Sequence, residues 1–251
     1  MLNELRLSLE YAKKLKPLYL FIDKKEEGAA AVRAMDASQS IFMKLEFDEW
    51  PDLEGDLIIG NVSYLTKLLS MSSFGDDGNV TQMEGTSYNG DPAITGLAFS
   101  SPKLNVSYKL VDPRIEATSR APKDIKNIAF TADYEMSDAD MKALREAIQL
   151  TEMAVDRPDN ALVVPYEKDG FLAFEFPTHG AALDIVMENP LKGTIPVKTA
   201  FPMQMFNTIV QTMASKGFAM LSVSESVLLF QTAEENCTVN IYLPKSTRRI
   251  N

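Results

Sequence analysis

The sequence predicts an α+β protein of two similar domains, and three observations predict it. First, the spacing of apolar residues changes in the same order four times: a short amphipathic helix, then three strands. Second, 251 residues suit two domains of about 125 residues each. Third, a stretch rich in proline and mixed charge, without periodicity, divides the four units two and two. One helix covers only one sheet face, so two units together close a domain with two helices packed on its strands. The expected division is a first domain over 1–111, a linker over 112–127 and a second domain over 128–251 with a short basic tail.

The first helix is expected near 5–16. Leu5, Leu9, Ala12 and Leu15 form one stripe, and Pro17 stops it. Strands follow near 18–22, 29–35 and 39–47. In the last of these Ile41, Met43, Leu45 and Phe47 alternate with polar Lys44 and Glu46. The second helix is expected near 62–71 behind Asn61 as N-cap, with Leu65, Leu68 and Leu69 inward. Strands follow near 79–83, 94–99 and 103–110, where Leu104, Val106, Tyr108 and Leu110 share a face.

A strand near 128–135 follows the linker and leads into the third helix. Ser137 and Asp140 are spaced as a capping box, and Met136 and Met141 as a hydrophobic staple. Met141, Leu144, Ala147 and Ile148 then point inward. Strands follow near 161–166, 171–176 and 181–187. The fourth helix starts at Pro202, a residue suited to the first helical position, and Gly217 suits its C-terminal cap. Phe206, Ile209, Val210 and Met213 make its stripe. Strands near 218–223, 227–232 and 237–243 end the chain, the last alternating through Cys237, Val239, Ile241 and Leu243.

Composition restricts function. The net charge is −10, the wrong sign for a protein that binds nucleic acid by open electrostatic attraction. A DNA role must then rest on local basic patches or on topology. Cys237 is the only cysteine, so no intrachain disulfide forms, and a thiolate zinc site lacks ligands. This fits a reducing cytoplasm. No signal-peptide pattern opens the chain, and no apolar run is long enough for a membrane span. His179, the only histidine, sits in a Pro-Thr-His-Gly turn without a catalytic partner. Gly75-Asp76-Asp77-Gly78-Asn79 lacks the ligand periodicity of a calcium loop, and the glycines of 85–96 lack the Gly-Lys-Ser/Thr ending of a phosphate loop. No catalytic residue, cofactor or metal is expected.

Three stretches carry a resemblance. Asn61–Met71 (NVSYLTKLLSM) resembles the second helix of the sliding clamps of T-even-type phages. Phe201–Met213 (FPMQMFNTIVQTM) is similar to the last helix of clamp chains, and Cys237–Pro244 (CTVNIYLP) to their terminal strand. Together with the fourfold cadence, the sequence resembles the DNA polymerase sliding clamps across nearly its whole length. The resemblance implies the DNA clamp fold, with antiparallel sheets outside and helices lining a central hole. It implies a two-domain subunit that closes as a homotrimer around double-stranded DNA. It further implies a replicative DNA polymerase as partner and a separate clamp-loader ATPase. In the family, partner proteins insert short apolar peptides between the linker and the last strand. By position that points to Ile115, Tyr242, Leu243 and Pro244.

Charge gives a separate check. The four helical segments hold eight basic and six acidic residues, against −10 for the whole chain. The candidate DNA-facing residues are Arg6, Lys13, Lys14, Lys16, Lys67, Lys142, Arg145 and Lys216. The polar face of the fourth helix (Gln204, Asn207, Thr208, Gln211, Thr212, Ser215) carries no carboxylate. Three rival readings remain at this level. A virion structural or assembly protein would share the acidity without needing the internal repetition. A monomeric processivity factor would not form a ring. An enzyme would need a paired carboxylate site, and none stands out.

Overall fold

The computed structural model describes residues 1–74, 78–87, 89–112, 122, 125, 128–155, 158–178, 181–214 and 219–246. The chain forms two compact units. The first contains Met1–Lys123 together with Ala233–Val239, and the second contains Asp124–Thr232 and Asn240–Asn251. The division therefore differs from the expected one: the adjoining ends of the last two strands group with the first unit.

In the first unit α1 (Leu2–Leu15) leads to β1 (Leu20–Lys24), β2 (Ala30–Met35), β3 (Phe42–Phe47) and β4 (Leu57–Ile59). These strands form an antiparallel array in the order β4-β1-β2-β3. Then α2 (Val62–Leu69) precedes β5 (Asn79–Thr86), β6 (Pro92–Ser100) and β7 (Asn105–Lys109), an antiparallel sheet in that order. Helix α1 packs against α2, β2 and β3. It buries Leu5, Leu9, Ala12 and Leu15, and each buried leucine contributes about 2 kcal/mol. It starts three residues earlier than expected, at Leu2. It ends where Lys16 turns left-handed (φ 49°, ψ 52°) and donates its N–H to Ala12 O, just before Pro17. Asn61 stands at the N-cap of α2, as expected, but without a side-chain bond: its own backbone is left-handed (φ 39°). The helix is held instead by burial of Val62, Leu65, Leu68 and Leu69. The three-residue β4 is absent from the expected elements, because a fully buried run that short shows no alternation.

In the second unit β8 (Ala132–Met136) precedes α3 (Asp138–Ala154). Then come β9 (Leu162–Lys168), β10 (Phe171–Thr178), β11 (Ala181–Pro190), β12 (Lys192–Gly193) and β13 (Phe201–Pro202). After α4 (Met203–Met213) come β14 (Ala219–Val223), β15 (Val227–Glu234) and β16 (Cys237–Pro244). Strands β12-β8-β14-β15-β16 are hydrogen-bonded in that order as part of the nine-stranded sheet, and a separate antiparallel sheet has the order β11-β10-β9-β13. The stripe of α4 is buried as expected: Phe206, Ile209, Val210 and Met213 are fully enclosed, and Phe206 meets the rings of Phe174 and Phe230. Pro202 is not the first helical residue. Its backbone is extended (φ −66°, ψ 119°) because it pairs with Leu162 in the short ladder to β9. Gly217 and Ser215 lie outside the described residues.

The capping box of α3 is present in both directions. Asp140 N–H donates to Ser137 Oγ at 3.1 Å, and Ser137 N–H donates to Asp140 Oδ2 at 2.9 Å. The carboxylate is buried and accepts two further bonds, from Tyr134 O–H at 2.7 Å and Glu188 N–H at 3.0 Å. One side chain thus ties α3 to β8 and β11. Burial pushes the Tyr134 phenol well above the usual tyrosine range.

Candidate nucleic-acid interface

In the first unit the buried stripes of α1 and α2 leave a continuous choice of outward residues. Lys13, Lys14, Lys16 and Lys67 are exposed, and Arg6 is half-buried. Among the described residues no carboxylate pairs with any of those four lysines. The acids of α1 are Glu4 and Glu10. Glu4 is turned inward and pairs with the Met1 ammonium at 2.9 Å, so Glu10 is the only outward carboxylate of the two helices. Tyr64, one turn before Lys67, is 48% exposed, and its ring stacks on Tyr108 at 6.2 Å. The Tyr108 hydroxyl donates to Gly60 O, and burial pushes its pKa up to about 12.

The outward face of α3 and α4 is different. Lys142 and Arg145 are exposed, but so are Asp138 and Glu146. Arg145 turns its Nε–H back to Met141 O at 3.2 Å. Leu150 and Met153 stand out at 57% and 85% exposure. The polar face of α4, free of acids in the sequence, receives one in the fold: Asn207 Nδ2 donates to Glu152 Oε1 at 3.0 Å, and Gln211 Nε2 donates to Asn207 Oδ1 at 3.1 Å. The Thr208 and Thr212 hydroxyls bond back to the carbonyls of Gln204 and Thr208 at 3.0 and 2.7 Å. Several of the donors that the sequence offers are therefore already used. Lys216 lies outside the described residues.

The residues proposed for partner peptides divide as well. Pro244 is exposed and Tyr242 half-buried, whereas Leu243 is fully buried and serves as core. Alternation puts Leu243 on the inner face of β16 with Val239 and Ile241, so it offers no surface. Ile115 lies outside the described residues. One linker residue is fixed by a contact that the sequence does not announce. Arg33 on β2 grips Asp23 through two bonds of 2.6 and 2.9 Å and donates a third to Pro122 O at 2.5 Å.

Of the remaining candidates only Cys237 is described. Cys237 is buried, and burial foremost, followed by Glu234, Asp48 and Glu46 nearby, pushes its thiol up to about 12. Such a thiol is unreactive at neutral pH. His179 and the Gly75–Asp77 stretch lie outside the described residues. Among the described residues no group of acids, histidines and cysteines is arranged to hold a metal, and no helix is long and apolar enough to cross a membrane.

No protein-family model matches the sequence, and no curated protein matches it. Solved structures do. The chain is similar to Proliferating Cellular Nuclear Antigen (PCNA) from Entamoeba histolytica, with a TM-score of 0.66 and 18% identity over 96% of each chain. It is similar to PCNA from Thermococcus kodakaraensis, with a TM-score of 0.71 and 12% identity over 98% of this chain and 97% of that one. A chain of the PCNA2–PCNA3 complex from Sulfolobus tokodaii matches with a TM-score of 0.65 and 10% identity over 97% of both. At such identities residues do not transfer but architecture does, and the match runs through both units: this chain has the PCNA clamp fold, α+β with antiparallel sheets.

Proposed function

We propose that this protein is a DNA sliding clamp, a non-catalytic processivity factor that encircles duplex DNA and tethers a replicative polymerase. The observation that carries the reading is the extent of the fold match, at least 96% of this chain and of each PCNA chain compared. The lysines of α1 and α2, which pair with no described carboxylate, support it from a different direction, since they supply the local positive charge that a protein of net charge −10 would need near DNA. The physics favours topology over affinity. Open binding through many phosphates is lost as salt rises. A closed ring cannot leave sideways, so weak and non-specific contacts suffice and allow sliding. The polymerase gains from tethering, which raises its effective concentration at the primer end.

Closure needs copies to join, and sheet edges offer the route. Strand β11 ends one sheet of the second unit, and β5 and β7 end the small sheet of the first. The edge at β5 is occupied where Gln82 bonds the backbone of Glu54 in both directions, at 2.7 and 2.9 Å. That favours β7 of one subunit pairing with β11 of the next, head to tail, closing as a homotrimer. Opening such a ring requires a separate clamp-loader ATPase. Partner peptides then bind at Tyr242 and Pro244.

The test is mass in solution, then retention on DNA. The expected mass is three times 27.9 kDa. Loaded protein should stay on a circular duplex and slide off the same duplex once cut. A monomer at all concentrations, or equal retention on cut and circular DNA, would sink the ring.

A further inference from the structure

We propose that duplex DNA rests against α1 and α2 and avoids α3 and α4, so that each subunit presents the phosphates with one attractive face and one indifferent one. The inference deepens the clamp reading and rests on it. Its basis is the outward charge of each helix pair, counted on described side chains that the fold leaves exposed or half-buried. Arg6, Lys13, Lys14, Lys16 and Lys67 face out of the first pair against a single acid, Glu10. Lys142 and Arg145 face out of the second pair against Asp138, Glu146 and Glu152.

The surroundings of the charges widen the difference. Lys13, Lys14 and Lys16 crowd the last turn and cap of α1, and Lys67 the last turn of α2. The negative end of a helix dipole amounts to about half a charge, which three lysines outweigh. Among the described residues the four ammonium groups make no ion pair, so a phosphate oxygen has no described carboxylate to displace. On α1 one acid, Glu10, stands a turn from three cations, Arg6, Lys13 and Lys14, whereas on α3 Glu146 stands a turn from Lys142 alone, a spacing at which opposite charges offset each other. Glu152 is fixed in place by Asn207 at 3.0 Å and cannot swing away from an approaching phosphate without breaking that bond. Leu150 and Met153, exposed on the same helix, have nothing to offer a phosphate. Opposite charges act over roughly 8–10 Å at physiological salt, so acids on the same helix face are felt by any phosphate that Lys142 or Arg145 could reach.

The experiment compares two charge reversals in the full-length protein: Lys13→Glu with Lys14→Glu, and Lys142→Glu with Arg145→Glu. Affinity for a short duplex is measured across salt concentrations, and ring mass in the same buffers. The first pair should weaken binding at low salt at least about tenfold and flatten the slope of log affinity on log salt by about two. The second should change affinity less than about twofold. Lys13→Ala with Lys14→Ala, which only removes charge, should fall between them. An equal or larger loss from the α3 pair would overturn the inference, as would a wild-type protein whose duplex affinity does not respond to salt. A monomeric mass would sink the ring while the two pairs still decide which face meets DNA.

Discussion

The two units repeat one plan with opposite treatments of the helix. In the first, α1 ends by a left-handed lysine and α2 begins at a left-handed asparagine whose side chain caps nothing. Their outward faces are cationic. In the second, α3 begins in a capping box whose acid is buried and accepts three bonds, and its outward face mixes both signs with exposed Leu150 and Met153. Buried stripes of the same kind hold both pairs, so the fold follows from the inward residues alone. What differs is invisible to the fold: where polar groups were spent on structure in one unit, they were left for solvent or a ligand in the other.

The sharpest way to break this comparison is at the helix starts. Asp140→Ala removes an acceptor from three donors at once, Tyr134 O–H, Ser137 N–H and Glu188 N–H, of which the first is buried with its ring. Stranded donors cost more than a bond is worth, so a loss of about 3–5 kcal/mol is expected in denaturant unfolding. Asn61→Ala, at the corresponding start of α2, removes no side-chain bond and should cost less than about 1 kcal/mol. Similar losses at both sites would mean that the caps do not distinguish the units.

That contrast also marks what could be read from the sequence. The four helices, the alternation of β3 and β16, the capping box and the inward stripe of α4 all come from local spacing, which the folded chain keeps. The three-residue β4 and the pairs that form β12 and β13 leave no period to detect. The second gap is chemical. Spacing identified Lys13 and Lys14 as outward, but nothing in the sequence of α4 shows that Glu152, fifty-five residues before Asn207, becomes its partner. Likewise Arg33 and Pro122, eighty-nine residues apart, meet only in the fold. Tyr64 passed unnoticed because a single exposed aromatic on a short helix carries no pattern.

Alkali should separate the units at a middle scale. Cys237 and Tyr108 belong to the first unit, and burial lifts them from 9.0 and 10.0 to about 12 each. Tyr11, in the same unit, is lifted further by burial and by its bond to Glu234 at 2.6 Å. In each the folded state keeps a proton that the unfolded chain releases sooner. Their stabilising contribution is therefore complete below pH about 9 and declines as pH rises towards 12. Each group adds up to about 1.4 kcal/mol of loss per pH unit in that window. The second unit has two such groups described, Tyr134 and Tyr166, and no thiol among them. Trp50, the only tryptophan and buried in the first unit, should report unfolding there at a lower pH than hydrogen exchange detects in α3. Cys237→Ala should flatten the pH dependence by about one proton; an unchanged slope would show that the thiol does not contribute.

The smallest effect expected is also the most specific. Glu152→Gln removes one negative charge from the α3–α4 face and keeps an oxygen where Asn207 Nδ2 already donates. The side chain is half-buried, so packing changes little and stability should move by less than about 0.5 kcal/mol. If phosphates avoid this face because of its acids, deleting one should tighten duplex binding at low salt by about two- to threefold, with the gain vanishing as salt is raised. Glu10→Gln, on the cationic face, should give a larger gain if the duplex rests on α1 and α2, because there the relieved carboxylate stands among lysines. A gain at Glu152 that exceeds the gain at Glu10 would place the duplex against α3 and α4 and reverse the assignment of the two faces.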